Sequence, residues 1–384
     1  MKKSLCALTL MSMMAVTGAA KAQSFVYVSN ATSGTVTAYT LDKSAMKLEA
    51  NGTYPVGEGA MSSVVSADKK MLYVSIRSKP YHVAAFKILN DGKLEKAGET
   101  PLPESMAYLS TDKSGKFLLS ASYGGDLFSI NRIAADGKVE TPPVQVVHTG
   151  KRAHAIQVDP SNHYLYVTLL GADQLLQFHF DPQSGKVTPN EPAFVNIEKE
   201  AATGPRHFVL APKLDNQGKQ NMYILTEMAG NIKRLSMNAN GTFTPQEDTA
   251  SISPEDQQSM QRGEARPLTG DDNLPPTYKP RIWQADIHIT PDGKFLYSTE
   301  RTNSTLSSFS IDPTDGHLTY LNSMHTEKQP RGFAIDNSGS FLIESGQKST
   351  ELSLYSIDKS DGKLTPLGKS PTGQGANWVT FVEQ

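Results

Sequence analysis

The sequence predicts an all-β protein, a seven-bladed β-propeller, from three observations: a repeated apolar opening, four strand-like segments per repeat, and one repeat split between the two termini. The openings begin at Phe25 (FVYVS), Met71 (MLYVS), Phe117 (FLLSA), Tyr164 (YLYVT), Met222 (MYILT), Phe295 (FLYST) and Phe341 (FLIES). Their spacings are 46, 46, 47, 58, 73 and 46 residues. A period near 46 that holds only strand-like segments is typical of propeller blades.

The last repeat shows the four antiparallel strands expected in each blade. Its strand-like segments are 332–336, 341–344, 352–357 and 363–367. The third of these alternates apolar and polar residues, as a half-buried strand does. The pair Asp361-Gly362 precedes the fourth, and an Asp-Gly or Asn-Gly pair predicts a two-residue type I′ hairpin. Similar pairs occur at 91–92, 136–137, 240–241 and 315–316.

The two ends of the chain together supply one blade. Residues 25–29 match the second strand of a repeat, and residues 378–382 match a first, innermost strand. Pairing of the C-terminal strand with the N-terminal blade would close the ring and leave no open sheet edge. We therefore expect a single propeller domain over residues 23–384.

Residues 1–22 have the pattern of a cleaved secretory signal peptide. Lys2 and Lys3 precede an apolar run at 5–16, and the small residues Ala20 and Ala22 lie before the expected cleavage position. Such a run is too short for a membrane anchor. Cleavage before Gln23 would also remove the one cysteine, so the mature chain would need no disulfide. We expect a periplasmic protein.

Charge and hydropathy exclude two classes of partner. The signal segment holds three lysines and no acids, so the formal charge falls from −2 to −5 without it. A mildly acidic protein lacks the basic surface that nonspecific nucleic-acid binding needs. No later apolar run reaches 18 residues, so we expect no membrane span. The oligomeric state stays open, with a monomer as the expectation.

Residues 244–282 depart from the repeat. This segment is polar, contains six prolines and shows little periodicity. It connects the outermost strand of one blade to the innermost strand of the next. A long irregular connection of this kind is either a lid over a binding site or a disordered insertion.

One face of the predicted ring carries unusual residues. Within a blade of strands A to D, the D-to-A and B-to-C connections share one face, and the two hairpins share the other. Three D-to-A connections bring His154, the pair Arg206-His207, and Arg331 to equivalent places beside the central channel. The B-to-C connections add Arg77, Glu227, Glu300 with Arg301, and Gln347 with Lys348.

This convergence predicts a ligand site. Cationic groups that approach one another repel unless an anion or an acid lies among them, and loops on a rigid scaffold are where binding residues concentrate. His288, within an alternating strand, is expected in the core. No His, Asp or Glu grouping has metal-ligand spacing, so neither a metal nor another cofactor is predicted.

Four segments resemble the bacterial 6-phosphogluconolactonases of the seven-bladed lactonase family. They are GPRHFVLAP (204–212), RIWQADIHITPDGKFLYSTERT (281–302), KQPRGFAIDNSGSFLIESGQKS (328–349) and GQGANWV (373–379). The resemblance extends in weaker form through all seven repeats. It implies a carboxylic-ester hydrolase that opens a sugar lactone without metal or organic cofactor. It also implies His154, Arg206, Glu227 and Arg331 as catalytic residues, and Arg301 and Gln347 as supporting ones.

Lactone hydrolysis suits these residue types. Glu227 or His154 can act as the general base that activates water. Arg206 and Arg331 can stabilise the oxyanion or bind a substrate carboxylate or phosphate. We add His207 and Arg77 to the expected substrate-binding set. Because a phosphosugar is scarce in a periplasm, an unphosphorylated aldonolactone suits an exported protein, whereas the family's phosphorylated substrate is closest to the sequence.

Two other functions stay open. The opening FVYVSN (25–30) resembles repeats of binding propellers, so the protein could be a non-catalytic periplasmic propeller that binds a ligand or a partner protein. A muconolactone-type cyclising enzyme, as in related fungal propellers, would use the same residues on a product of aromatic degradation.

Overall fold

The computed structural model describes residues 23–198, 202–268 and 274–384. Within these ranges the chain forms 28 strands and one short helix. The predicted signal peptide, residues 1–22, lies outside the described residues. Over the described ranges no helix has the length and apolar character needed to cross a membrane.

The strands, in chain order, are β1 Ser24–Asn30, β2 Thr35–Asp42, β3 Lys47–Pro55, β4 Ala60–Val65, β5 Met71–Ile76, β6 His82–Ile88, β7 Leu94–Pro101, β8 Tyr108–Thr111, β9 Phe117–Ser122, β10 Leu127–Arg132, β11 Gln145–His148, β12 Ala153–Val158, β13 Tyr164–Leu169, β14 Gln174–Phe180, β15 Val187–Asn196, β16 Pro205–Leu210, β17 Asn221–Thr226, β18 Asn231–Met237, β19 Phe243–Ala250, β20 Gln284–Ile289, β21 Phe295–Glu300, β22 Thr305–Ile311, β23 Leu318–His325, β24 Pro330–Ile335, β25 Phe341–Gly346, β26 Glu351–Ile357, β27 Leu364–Pro371 and β28 Ala376–Glu383. The helix α1 spans Pro254–Ser259.

The strands form seven four-stranded antiparallel sheets, which confirms the predicted propeller. Six blades are consecutive in sequence, from β4–β7 to β24–β27. The remaining blade has the order β28-β1-β2-β3, with Val28 opposite Val379 and Phe25 opposite Val382. The C-terminal strand therefore closes the ring as the innermost strand of the N-terminal blade, as the sequence predicts.

Tyrosines near the start of the second strand join five pairs of adjacent blades. Each donates its hydroxyl hydrogen to a glycine carbonyl oxygen in the C-to-D hairpin of the next blade. The pairs are Tyr27–Gly92 (2.8 Å), Tyr73–Gly137 (2.7 Å), Tyr166–Gly241 (2.6 Å), Tyr223–Gly316 (2.7 Å) and Tyr297–Gly362 (2.7 Å). The repeat seen in the sequence thus encodes contacts between blades.

The same hairpin glycines are needed for close packing. Gly92 has φ +77°, and a β-carbon there would overlap the ring of Phe25 in the preceding blade. Only glycine combines that backbone conformation with so close an approach. The apolar residue that opens a repeat and the glycine of the next hairpin therefore fit together as one contact.

The predicted type I′ hairpins are wrong. At 91–92 only Gly92 has a positive φ, whereas a type I′ turn needs positive φ at both central residues. Leu89 N–H donates to the Lys93 carbonyl oxygen (2.9 Å), and Gly92 N–H donates to the Leu89 carbonyl oxygen (2.8 Å). The connection is a longer loop that ends in one left-handed glycine, and this arrangement also matches the twist of the strands.

The departure from the repeat begins later than residue 244. Residues 244–250 belong to β19, an edge strand whose solvent-facing residues are polar, so its sequence shows little hydrophobic periodicity. The connection that follows contains α1, whose N-cap Ser253 accepts a hydrogen bond from Asp256 N–H (3.0 Å). Residues 261–268 then run across the face that carries the B-to-C and D-to-A connections.

Candidate active site

A cavity of about 630 Å³ opens at the centre of this face. Its walls come from the B-to-C and D-to-A connections and from the starts of the innermost strands. Of the eight residues predicted for the site, seven line it: Arg77, His154, Arg206, Glu227, Arg301, Arg331 and Gln347. The eighth, His207, lies beneath the cavity and does not reach its wall.

Irregular pairing at the start of the innermost strands aims these side chains. The register between β12 and β13 shifts between Ala153 and Ile156, and His154 lies in this shift. Arg206 and Arg331 lie in corresponding shifts of β16 and β24. Bulges of this kind redirect side chains and are frequent beside active sites. They turn residues of a regular strand toward the cavity.

Side-chain hydroxyls of the second strand support the shift in β12 and a similar shift in β20, between Gln284 and Ile287. Thr168 Oγ1 accepts the Ala155 N–H (3.1 Å), and Thr299 Oγ1 accepts the Asp286 N–H (3.1 Å). The hydroxyls therefore replace ladder bonds that the irregular pairing removes. This gives a structural reason for threonine near the end of the repeated openings YLYVT and FLYST.

A buried ion-pair network forms one wall. Glu227 Oε2 accepts hydrogen bonds from Arg206 Nε (2.8 Å) and from Arg301 Nη2 (2.9 Å). Arg206 also donates to the Ala285 carbonyl oxygen, and Arg301 donates to the Gln284 carbonyl oxygen (2.8 Å). Burial, together with nearby Arg331, lowers the pKa of Arg206 to about 10, so its guanidinium stays charged at neutral pH. Both guanidinium groups are held in fixed positions.

His154 presents a neutral imidazole to the cavity. It is 4% exposed, and its Nδ1 is buried without a hydrogen-bond partner. Burial first, and then the positive charge of Arg206, hold the pKa of His154 well below its ordinary value; His207, Arg331 and Arg77 act in the same direction. An imidazole of this kind can accept a proton at neutral pH.

His207 binds a carboxylate below the cavity. Its Nδ1 lies 2.7 Å from Asp286 Oδ1, and both side chains are buried. Burial and nearby Arg206 lower the pKa of His207, so the imidazole is neutral. Burial alone would raise the pKa of Asp286, but His288 and His207 hold it far below its ordinary value. The pair is therefore a neutral histidine that donates to a carboxylate.

His288 is not a core residue as expected. Its side chain is 39% exposed, and its Nε2 lies 3.1 Å from the second oxygen of Asp286. The alternation that suggested burial is a feature of an innermost strand, where one face of the strand borders the central channel. Phe333 N–H completes the contacts of this carboxylate oxygen at 3.2 Å.

The remaining predicted residues lie around the rim. Arg77 Nε donates to Ser105 Oγ at 2.8 Å. Gln347 Oε1 accepts from Gln329 Nε2 at 3.0 Å. Glu300 is buried beside the site, where its two oxygens accept the Trp283 and Asn303 N–H groups (both 2.7 Å). Burial raises the pKa of Glu300 to about 7, but this residue does not line the cavity.

The long connection supplies part of the cavity wall. Arg266, Pro267 and Leu268 line the cavity, and the Arg266 carbonyl oxygen accepts a hydrogen bond from the Tyr123 hydroxyl (2.8 Å) in another blade. The guanidinium carbons of Arg266 and Arg301 lie 4.1 and 3.7 Å from the ring centroid of Trp283. We call residues 261–268 the strap, because they cross part of the opening and are tied down on the far side.

Among the residues of this region that sequence reasoning missed are Tyr123, Arg266, Trp283 and Asp286. Tyr123 and Trp283 lie in B-to-C and D-to-A connections, so the rule that found Arg77 would have found them had aromatic residues been included. Asp286 is a charged residue inside an innermost strand, and a charge at such a position indicates a functional or hydrogen-bonding role. No sequence signal pointed to Arg266, because the pattern of an irregular segment does not show where its residues lie in the fold.

No three His, Cys, Asp or Glu side chains in residues 23–198, 202–268 and 274–384 come together in a way that could hold a metal ion. The groups present at the cavity are general acids and bases, fixed cations and hydrogen-bond donors. Such a set can activate water and stabilise negative charge on oxygen.

Comparison with known sequences places the chain in a family. The family model described as lactonase, 7-bladed beta-propeller, matches residues 25–381. A protein of Erwinia tasmaniensis named 6-phosphogluconolactonase is 35% identical over 318 residues, which are 83% of this chain and 86% of that protein. A protein of Yersinia pestis with the same name is 33% identical over 357 residues, 93% of this chain and 97% of that protein.

Solved structures share the fold at lower identity. A protein from Lactobacillus plantarum superposes with a TM-score of 0.77 at 24% identity, over 94% of this chain and all of that one. The periplasmic gluconolactonase of Pseudomonas aeruginosa superposes with a TM-score of 0.76 at 20% identity, over 94% of this chain and 99% of that one. At these identities the structures establish the architecture alone. On the family match and the sequence relatives, this chain belongs to the seven-bladed β-propeller lactonase family.

Proposed function

We propose that the protein is a lactonase that hydrolyses a sugar lactone in the cavity on the face that carries the B-to-C and D-to-A connections. The names of its sequence relatives support a 6-phosphogluconolactonase-like activity. The observation that carries the proposal is the neutral imidazole of His154 in the same cavity as the fixed guanidinium group of Arg206 and the buried side chain of Arg331. Ester hydrolysis needs a proton acceptor for water and fixed positive charge for the oxyanion, and these residues offer both.

The reaction proceeds through His154 as the general base. His154 takes a proton from water as the oxygen attacks the lactone carbonyl carbon. Arg206 and Arg331 stabilise the negative charge that develops on the carbonyl oxygen. As the ring C–O bond breaks, the imidazolium returns the proton to the leaving ring oxygen, and the product is an open hydroxy acid. No metal takes part in these steps.

Glu227 serves as the anchor of the arginines in this scheme. One of its oxygens already accepts two charged hydrogen bonds, at 2.8 and 2.9 Å, so a proton from water would compete with two guanidinium groups. His154, by contrast, lines the cavity, and burial and the nearby cations keep its imidazole neutral. Of the two bases considered from the sequence, His154 is the better placed.

The cavity suits an aldonolactone that carries negative charge. Its lining contains five arginines and three glutamates, and one glutamate is shared by two of the arginines. A sugar lactone phosphate would neutralise this excess, and the names of the sequence relatives point to the same compound. A plain aldonolactone would instead fit the export that residues 1–22 predict.

Export itself is part of the proposal. The basic start, apolar run and small residues of 1–22 support cleavage before Gln23 and a periplasmic location. Expression of the full chain in a Gram-negative host, followed by fractionation and N-terminal sequencing, tests this. A mature N-terminus at Gln23 in the periplasmic fraction is the expected result, and an intact N-terminus in the cytoplasm would contradict it.

The test of activity is lactone opening by the mature protein, measured by pH-indicator assay against buffer alone. Glucono-δ-lactone and 6-phosphoglucono-δ-lactone are compared in parallel, because both open spontaneously in water. Acceleration of either supports the proposal, and the preferred one identifies the substrate. If neither is accelerated, the non-catalytic binding propeller or the muconolactone-type cyclising enzyme replaces it, and a panel of muconate derivatives separates those two.

A further inference from the structure

Two buried histidines are in ring contact, His154 in the cavity wall and His207 beneath it. The ring centroids of His154 and His207 lie 5.1 Å apart, and the rings are inclined by 65°. His154 Nδ1 and His207 Nε2 are each buried without a hydrogen-bond partner. Buried polar atoms without partners are rare, so each such atom calls for an explanation.

Asp286 determines which nitrogen of His207 carries hydrogen. Its carboxylate lies 2.7 Å from His207 Nδ1 and can only accept. In the neutral imidazole the hydrogen is therefore on Nδ1, and Nε2 is a bare acceptor. The carboxylate is itself fixed, because Oδ1 also accepts the Ile287 N–H (3.0 Å) and Oδ2 accepts the Phe333 N–H (3.2 Å).

The surroundings leave His207 little freedom to turn. Tyr108 and Trp378 pack edge-on against its ring, with centroids 5.1 and 5.4 Å away. Tyr108 is itself held by Gln157, whose Nε2 donates to its hydroxyl at 3.0 Å. The one other imidazole in ring contact with His207 is that of His154, which also lines the cavity.

We propose that Asp286 and His207 form a positioning relay for His154. His207 Nε2 accepts the Nδ1 hydrogen of His154 through one bridging water molecule, and this leaves Nε2 of His154 as the lone-pair nitrogen that faces the cavity. The relay selects the tautomer in which the base is turned toward substrate. In the catalytic triad a carboxylate orients the catalytic imidazole directly. Here a second imidazole, that of His207, lies between the carboxylate and the catalytic imidazole.

The catalytic consequence rests on the proposed lactone hydrolysis, whereas the tautomer assignment does not. In the wrong tautomer, an N–H would point at the attacking water, and His154 could not take its proton. Asp286 and His207 are positioning residues in this scheme, because neither reaches the cavity. Their loss should act on kcat rather than on KM.

The tautomers can be measured without any substrate. In mature protein with ¹⁵N-labelled histidine, long-range ¹H–¹⁵N correlation spectra at pH 7 distinguish bare from protonated ring nitrogens. Spectra of His154→Gln and His207→Gln assign the two signals among the nine histidines. The expected result is a proton on Nδ1 and a bare Nε2 for both residues. A proton on Nε2 of His154 would overturn the relay.

The variant Asp286→Asn tests the carboxylate. With an amide in place of the acceptor, we expect the tautomers of both histidines to become mixed or to switch, and kcat to fall by about 10²-fold with a smaller change in KM. The matched control is Asp292→Asn, since Asp292 lies in the hairpin that follows the same strand, accepts the Thr290 hydroxyl hydrogen (2.6 Å) and does not line the cavity. In this variant the tautomers of His154 and His207, and kcat, should equal those of the wild type.

The outcomes separate the two proposals. If the wild type opens neither lactone, the proposed function fails, and the spectra still decide the relay. If it opens a lactone but Asp286→Asn keeps the wild-type tautomers and kcat, the relay fails and the lactonase proposal stands. Should Asp286→Asn not fold, the wild-type spectra alone decide, because they need no substitution at Asp286.

Discussion

Glu227 Oε2 accepts a hydrogen bond from Arg206 Nε at 2.8 Å, and the two side chains are 4% and 1% exposed. The same oxygen accepts from Arg301 at 2.9 Å. One buried carboxylate thus holds arginines from two adjacent blades in place, and the position of the fixed positive charge depends on it. Removing one partner of a buried ion pair leaves the other charge uncompensated, which is strongly destabilising.

Substitution of Glu227 should therefore affect stability and catalysis together. We expect Glu227→Ala to lower the free energy of unfolding by about 3 kcal/mol. Glu227→Gln keeps the shape and should cost less stability, but kcat/KM should fall by about 10²-fold because the arginines shift. Urea denaturation and initial rates with the preferred lactone measure the two effects.

The matched control for this prediction is Glu247→Gln. Glu247 pairs with Arg234 at 2.6 Å on the outer strands, far along the blade from the cavity lining, and is partly exposed. Its substitution should leave kcat/KM unchanged. If Glu227→Gln retained wild-type stability and activity, Glu227 would not be the anchor of the arginines.

The pH dependence of kcat/KM should report on His154. Because burial and the surrounding cations lower the pKa of His154, its neutral form persists as pH falls below 6.5, and the acid limb of the profile should lie below that value. Arg331→Gln removes one cation, so the pKa of His154 rises and the acid limb moves to higher pH, by about one unit. Rates from pH 4 to 7, at pH values where circular dichroism shows folded protein, measure this.

Arg132→Gln is the control for charge alone. Arg132 packs over the ring of Phe117 and does not line the cavity, so its loss should leave the acid limb in place. If the acid limb of the kcat/KM profile did not move in Arg331→Gln, or moved to lower pH, His154 would not be the group that titrates in this profile.

The bonds between blades should contribute measurably to stability. Tyr223→Phe removes the hydroxyl that donates to the Gly316 carbonyl oxygen at 2.7 Å, and Tyr223 is fully buried. We expect the free energy of unfolding to fall by about 1 kcal/mol, since a buried acceptor loses its partner. Tyr278→Phe, at a fully exposed tyrosine, should leave the denaturation midpoint unchanged. Equal midpoints for both variants would mean that the inter-blade bond contributes nothing.

The fold was predictable because each blade repeats the same contacts. Phe25 and Gly92 lie 67 residues apart in sequence yet fit together as one contact, and equivalent pairs recur around the ring. Because the same contact recurs in successive blades, the residues that form it recur at a regular spacing in the sequence. The hairpin geometry was predicted wrongly because the Asp-Gly pair alone does not reveal the length of the loop around it.

The candidate site was predictable only in part. Topology assigned seven of the predicted residues to one cavity, since it determines which connections share a face. Topology does not determine which way a side chain turns within a strand, so the adjacent residues Arg206 and His207 were placed together although only Arg206 reaches the cavity. The pairing shift that contains both residues is not visible in the pattern of apolar and polar residues on which the prediction depended.

Arg266 provides the last prediction, because it comes from the strap that the repeat could not place. Its guanidinium stacks on Trp283 at the cavity wall, where it can bind a phosphate or carboxylate. We expect Arg266→Ala to raise KM for 6-phosphoglucono-δ-lactone by about 10-fold, with less effect on kcat and on KM for the uncharged lactone. Lys279→Ala, an exposed cation of the same connection that donates to the Gln258 carbonyl oxygen (2.7 Å), is the control. Equal rises in KM for both lactones would indicate that Arg266 shapes the cavity without recognising charge, and an unchanged KM for both would remove the strap from substrate binding.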